Sequence, residues 1–123
     1  MRYVNMKRSE STEQMTLIQW CKINECIYPD LELIYHIPNG GKRSKTEAIR
    51  LKCEGVKKGV PDLCLPVPRR NYHGLYIEMK YGNGRTSKEQ KEWIQKLNKQ
   101  GYKAVICNGF DEAKETIERY MAS

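Results

Sequence analysis

Leu75-Tyr76-Ile77-Glu78-Met79-Lys80 reads as a β-strand whose two faces carry different chemistry. Side chains alternate along a strand, so Leu75, Ile77 and Met79 share one face while Glu78 and Lys80 share the other. A carboxylate and an ammonium two residues apart thus point into the same space. Just upstream, Gly59-Val60-Pro61 leads into a short run from Asp62 to Val67, and Pro68-Arg69-Arg70-Asn71 turns the chain back. Asp62 is out of phase with Leu63 and Leu65 and stands at the mouth of that run. If the two runs pair as a hairpin, Asp62 and Glu78 meet at one divalent ion, because a hard cation takes oxygen ligands. The pattern alone also fits a cross-strand ion pair on a wet sheet face, with Asp62 capping a turn. Glu-x-Lys recurs at Glu89 and Glu112, but only the copy at Glu78 follows a Pro-Asp at a strand's mouth.

Working outward, Ser9-Glu10-Ser11-Thr12 offers N-caps for a helix running to about Cys26, with Met15, Leu17, Ile18 and Cys21 at helical spacing. Leu31 to Ile37 reads as a strand, broken by Pro38-Asn39-Gly40-Gly41. A basic helix is expected from about Ser44 to Glu54, closed by Gly55. Downstream of Lys80, a glycine-rich loop leads to a helix over about Ser87 to Gln100, then a strand over Tyr102 to Cys107, then an amphipathic helix over Phe110 to Met121. The order α-β-α-β-β-α-β-α makes an α/β fold, and 123 residues suit a single domain over 1–123.

Composition narrows the function classes. No stretch approaches the roughly 18 apolar residues of a membrane span, and the polar start Met1-Arg2-Tyr3-Val4-Asn5-Met6-Lys7-Arg8 lacks the apolar core of a signal peptide. The expected protein is soluble and intracellular. Five cysteines (Cys21, Cys26, Cys53, Cys64, Cys107) without a C-x-x-C pair are read as buried small hydrophobes. The formal charge is +7, and it is concentrated. Residues 42–58 carry seven Lys and Arg against two Glu, and residues 85–103 carry six against two. Such stretches suit a polyanion, since phosphate neutralisation supplies most non-specific nucleic-acid affinity; on charge alone they also suit a solubilising surface.

Two polar residues lie on otherwise apolar helix stripes. Glu13 is in register with Leu17 and Trp20, and Gln90 with Trp93, Ile94 and Leu97. A buried polar group is costly unless partnered, so each asks for a reason. Asn39-Gly40-Gly41-Lys42-Arg43-Ser44 is not a phosphate-binding P-loop, because His36 and Arg43 occupy the places of its first Gly and its Ser or Thr. No nucleotide cofactor is expected. His36 and His73 are the only histidines, too few for a His-based nuclease site.

Together these blocks resemble a stand-alone VRR-NUC domain, a branch of the PD-(D/E)xK restriction-endonuclease-like superfamily found in phages and bacteria. The residues that carry the resemblance are Glu13 with Trp20, the run His36 to Arg43, Gly59-Val60-Pro61-Asp62-Leu63, Tyr76-Ile77-Glu78-Met79-Lys80, and Gln90 with Trp93. The resemblance implies a restriction-endonuclease-like fold, a central mixed four-stranded sheet flanked by helices. It implies a divalent-metal-dependent endodeoxyribonuclease using Mg²⁺ or Mn²⁺, with Asp62, Glu78 and the Met79 carbonyl as ligands. Lys80 would orient the attacking water, Glu13 would complete the acidic cluster, and Gln90 would hold Lys80 or a phosphate. Glu10, one turn earlier, is a rival for the Glu13 role; the distance to Trp20 favours Glu13. His36, Asn39, Lys42, Arg43, Lys45, Lys57 and Lys58 are the candidate DNA contacts. By analogy with small junction resolvases, the expected substrate is Holliday-junction or other branched DNA, cut by a homodimer in the cytoplasm, that of a bacterial host if phage-encoded. The competing readings are a non-catalytic nucleic-acid-binding module on the same fold, which would have lost one of Asp62, Glu78 or Lys80, and a basic protein-interaction adaptor.

Overall fold

The structure is a computed structural model and describes residues 6–39 and 43–122. Lys42, one of the candidate DNA contacts, lies outside the described residues. Helix α1 (Glu10–Ile23) starts where Ser9 and Thr12 form a reciprocal capping box, the Thr12 N–H donating to Ser9 Oγ and the Ser9 N–H to Thr12 Oγ1. Its buried stripe, Leu17 and Cys21, faces the core. Past Ile23 the chain tightens into a 3-10 turn over Asn24–Cys26.

The stretch read as a strand from Leu31 departs from expectation. Pro29–Leu33 is a 3-10 turn, and of the residues read as a strand only Tyr35–His36 (β1) pairs into the sheet. Pro29 stands at the first position of the turn, where its fixed φ favours helical geometry and its missing N–H goes unneeded. Leu31, at 1% exposure, anchors the turn to the core. The cysteine expectation is corrected too: Cys21, Cys64 and Cys107 are buried, but Cys26 and Cys53 are exposed.

Helix α2 (Lys45–Cys53) is capped by Ser44 and buries none of its residues. Strands β2 (Leu63–Leu65) and β3 (Leu75–Lys80) form the expected antiparallel pair. Helix α3 (Lys88–Lys99) crosses over to β4 (Lys103–Asn108), which lies parallel to β3. Helix α4 (Gly109–Met121) closes the chain. The sheet order is β1-β2-β3-β4, a mixed four-stranded sheet flanked by four helices. Leu17, Leu63, Leu65, Leu75, Ile77, Met79 and Ile117 fill the core between the sheet and the α1/α4 pair. Every side chain of β3 but the half-buried Tyr76 is buried, so Glu78 and Lys80 are sealed into the face opposite Ile77 and Met79.

Candidate active site

The site begins with strand register. Leu63 pairs with Ile77, so one antiparallel step further brings Asp62 opposite Glu78. Asp62 Oδ2 accepts the Met79 N–H at 2.8 Å, which fixes its carboxylate against β3 just past the end of the ladder. The Asp62 carbonyl oxygen is held from the other side, by the Ile37 N–H at 2.7 Å and by His36 Nδ1 at 2.8 Å. His36 is thereby tied to the site through the backbone.

Glu78 is 2% exposed and Lys80 7%. Gln90 bridges them: its Nε2 donates to Glu78 Oε2 at 3.0 Å while its Oε1 accepts from Lys80 Nζ at 3.0 Å. Lys80 Nζ lies 3.5 Å from Glu78 Oε2. Gln90 can bridge because it is also the third residue of a capping box, its Oε1 accepting the Ser87 N–H at 2.9 Å. A polar residue on the inward stripe of α3 thus has its reason. Burial, reinforced by the negative charge of Asp62 and opposed by Lys80, pushes the Glu78 carboxyl up to about 8. Glu78 Oε1 is buried without a hydrogen-bond partner among the described residues.

Asp62, Glu78 and Met79 face an open cleft of about 660 Å³, walled by Glu10 and Gln14 from α1, by His36 and Asn39, and by Gln90. Glu13 does not line it. Glu13 is 1% exposed, accepts Arg8 Nε at 3.2 Å and Nη2 at 2.9 Å, and receives the Phe110 N–H on Oε1 at 3.1 Å. Asn108 offers α4 no side-chain cap, so the Glu13 carboxylate caps it, where an acid favours the helix dipole. The acid on the cleft wall is Glu10, whose Oε2 lies so near Gly84 that a Cβ there would approach it to 2.9 Å. Glu10 and Gln14 share a face at i and i+4, the signal by which sequence could have paired them.

The donor set suits a small hard cation. Asp62 and Glu78 supply two carboxylates on adjacent strands, Met79 a backbone carbonyl, and Glu78 Oε1 an unpartnered oxygen. Among the described residues no group of three His, Cys, Asp or Glu side chains converges as a metal cluster. Of the remaining DNA candidates, Arg43, Lys57 and Lys58 line a second groove with Asn39, and Lys45 is exposed on α2.

The family model of the VRR-NUC domain matches residues 8–111. The chain belongs to the VRR-NUC domain family. A solved structure titled VRR_NUC domain protein has a TM-score of 0.82 to it at 35% identity, covering 95% of this chain and 91% of that one. No curated protein matches the sequence. The VRR-NUC domain described here thus has an α/β, restriction-endonuclease-like, nuclease-type fold. No helix among its described residues is long and apolar enough to cross a membrane.

Proposed function

We propose that this VRR-NUC domain is a divalent-metal-dependent DNA endonuclease whose ion is held by Asp62, Glu78 and the Met79 carbonyl. The observation that carries the reading is the buried Glu78 Oε1, without a hydrogen-bond partner among the described residues, beside the Asp62 carboxylate: two carboxyl groups on adjacent strands that oppose each other's ionisation, a conflict a cation between them would relieve. A bound Mg²⁺ or Mn²⁺ supplies charge neutralisation at the scissile phosphate and a more acidic water. The side chains do the rest. Lys80 is buried behind Glu78 and Gln90 and is not among the residues that line the cleft. Of its three N–H donors one goes to Gln90 and one lies towards Glu78, and we assign the third to the attacking water or to a phosphate oxygen whose charge grows in the transition state. Gln90 keeps the Lys80 rotamer fixed. Glu10 is the acid we assign to the cleft's outer wall, acting on water, in place of Glu13.

We further assign branched or junction DNA as the preferred substrate and a homodimer as the working form. Support for the dimer comes from large apolar side chains left exposed at Ile23 (51%), Ile27 (63%) and Leu33 (46%), and from Tyr35 (50%) on the edge strand β1. Trp20 and Tyr28, the other large aromatics of this region, pack against the core. A cleavage assay on four-way junction, splayed-arm and linear duplex DNA, comparing wild type with Asp62→Ala in Mg²⁺, Mn²⁺ or EDTA, tests the reading. Cutting that needs both metal and Asp62 supports it. Cutting that survives Asp62→Ala, or DNA binding with no cutting at all, removes it, the latter in favour of a binding module. Light scattering behind size exclusion tests the dimer, which Ile27→Asp with Tyr35→Glu should split.

A further inference from the structure

The catalytic cleft does not end at the metal ligands. Asn39 lines both that cleft and a groove of about 760 Å³ under α2, whose charged residues are Arg43, Lys52, Lys57 and Lys58 with no acid among them. Lys57 and Lys58 in turn line a third cavity, of about 360 Å³, over α3, where they meet Trp93 and Lys96. Three cavities thus adjoin through shared residues. The junction between the second and third is built tightly: Gly59 has φ +94° and packs so closely on Glu89 that a Cβ would lie 2.6 Å from its backbone. That contact holds Lys57 and Lys58 against the start of α3.

We infer that this chain of cavities is a track for an unpaired DNA strand leaving the catalytic cleft, with its phosphates on Arg43, Lys52, Lys57 and Lys58 and one base stacked on Trp93. The inference deepens the nuclease reading and rests on it for the strand's origin. Charge divides the labour along the track. The α2 groove is purely cationic and suits phosphates. In the α3 cavity Glu89 and Glu92 offset the lysines, so the half-buried indole, not charge, is the feature a strand can use there. Successive walls also select for flexibility. A duplex, stiff over roughly 150 base pairs, cannot follow adjoining cavities of this size, whereas an unpaired strand can. The exposure of α2 fits the same account, because a helix that buries nothing and presents Lys and Arg has its surface free for a ligand.

Binding in EDTA, where no cutting intrudes, tests the track on the full chain by fluorescence anisotropy with a blunt duplex and the same duplex carrying an unpaired arm. Wild type should bind the armed DNA about tenfold more tightly, a single base's worth of stacking. Trp93→Ala should remove the stacking share of that advantage and change blunt-duplex affinity by less than about twofold, while Trp93→Phe keeps most of it. The paired change Lys57→Ala with Lys58→Ala should weaken armed binding and lower its salt dependence by about two counterions. Because Trp93→Ala could disturb α3, a second readout uses Trp20→Phe, which leaves Trp93 as the sole tryptophan. Its emission should be quenched by armed and not by blunt DNA. An arm preference unmoved by Trp93→Ala, an equal loss on both DNAs, or an unquenched Trp93 would each overturn the track. A protein that never cuts but shows Trp93-dependent preference loses the nuclease reading and keeps the track; one that cuts without the preference loses the track alone.

Discussion

Glu13 on α1 and the backbone N–H of Phe110 at the start of α4 are joined by a 3.1 Å hydrogen bond across 97 positions of sequence. A buried acid at a helix N-terminus, clamped by Arg8, ties the two helices that cover the core. Its neighbour Glu10, three residues earlier, opens instead onto the cleft that Asp62, Glu78 and Met79 face.

The two acids should therefore respond differently to substitution. Glu13→Ala removes a cap and leaves Arg8 without its carboxylate, costing about 2 kcal/mol and roughly 8 °C in Tm. Glu10→Gln should leave the melt within about 0.5 kcal/mol of wild type and slow metal-dependent cutting. Calorimetry beside the cleavage assay separates them; a Glu13→Ala protein with an unchanged melt and lost cutting would return Glu13 to the active site.

Much of this was legible in the sequence, for physical reasons that also mark the limits. Ser9, Ser44 and Ser87 cap their helices, and the alternation from Leu75 to Lys80 gives the face shared by Glu78 and Lys80, because capping and pleat are local. Leu31 to Leu33 reads as extended because short apolar runs carry no decisive period; Pro29 and the burial of Leu31 favour the 3-10 turn. The stripe on α1 showed that Glu13 needs a partner. It could not show that the partner lies at Phe110, since only tertiary packing brings them together. The adjoining of the three cavities at Asn39 and at Lys57 and Lys58 is likewise a product of the fold.

Lys80 should separate chemistry from binding. It lies among Gln90 and Glu78, away from the basic grooves. Lys80→Ala should lower the cutting rate at least about 100-fold, the scale of losing one donor to a developing anion, and leave DNA affinity within about twofold. Gln90→Ala should produce a milder loss through a mobile Lys80. Single-turnover cleavage with parallel anisotropy measures both; a matching fall in affinity would move Lys80 into the binding surface.

The five thiols should fall into two classes. Cys26 and Cys53 are exposed, whereas Cys21, Cys64 and Cys107 are buried and burial pushes the Cys21 thiol up to about 12. A thiolate is the reacting form, so a chromogenic disulfide at pH 8 should titrate two cysteines in the folded protein and all five after denaturation. Substituting Cys26 and Cys53 by Ser should abolish the fast phase without changing the melt by more than about 0.5 kcal/mol.

The pH dependence of stability follows from Glu78. Its carboxyl is held near 8 in the folded, metal-free protein, by burial first and the Asp62 charge second, against an ordinary value of 4.5. Between those values the folded protein keeps a proton that the unfolded chain has released. Stability is therefore full below pH 4.5 as far as this group is concerned and falls as pH rises towards 8, with a slope approaching about 1.4 kcal/mol per pH unit. Glu78→Gln, which keeps the Gln90 contact and cannot ionise, should flatten that slope in thermal melts run in EDTA. Adding Mg²⁺ should reverse it for wild type, because the cation and the proton compete for the same carboxylate and the cation wins as pH rises. A wild-type slope that persists unchanged in Glu78→Gln would assign the titration to another group and weaken the case for a cation between Asp62 and Glu78.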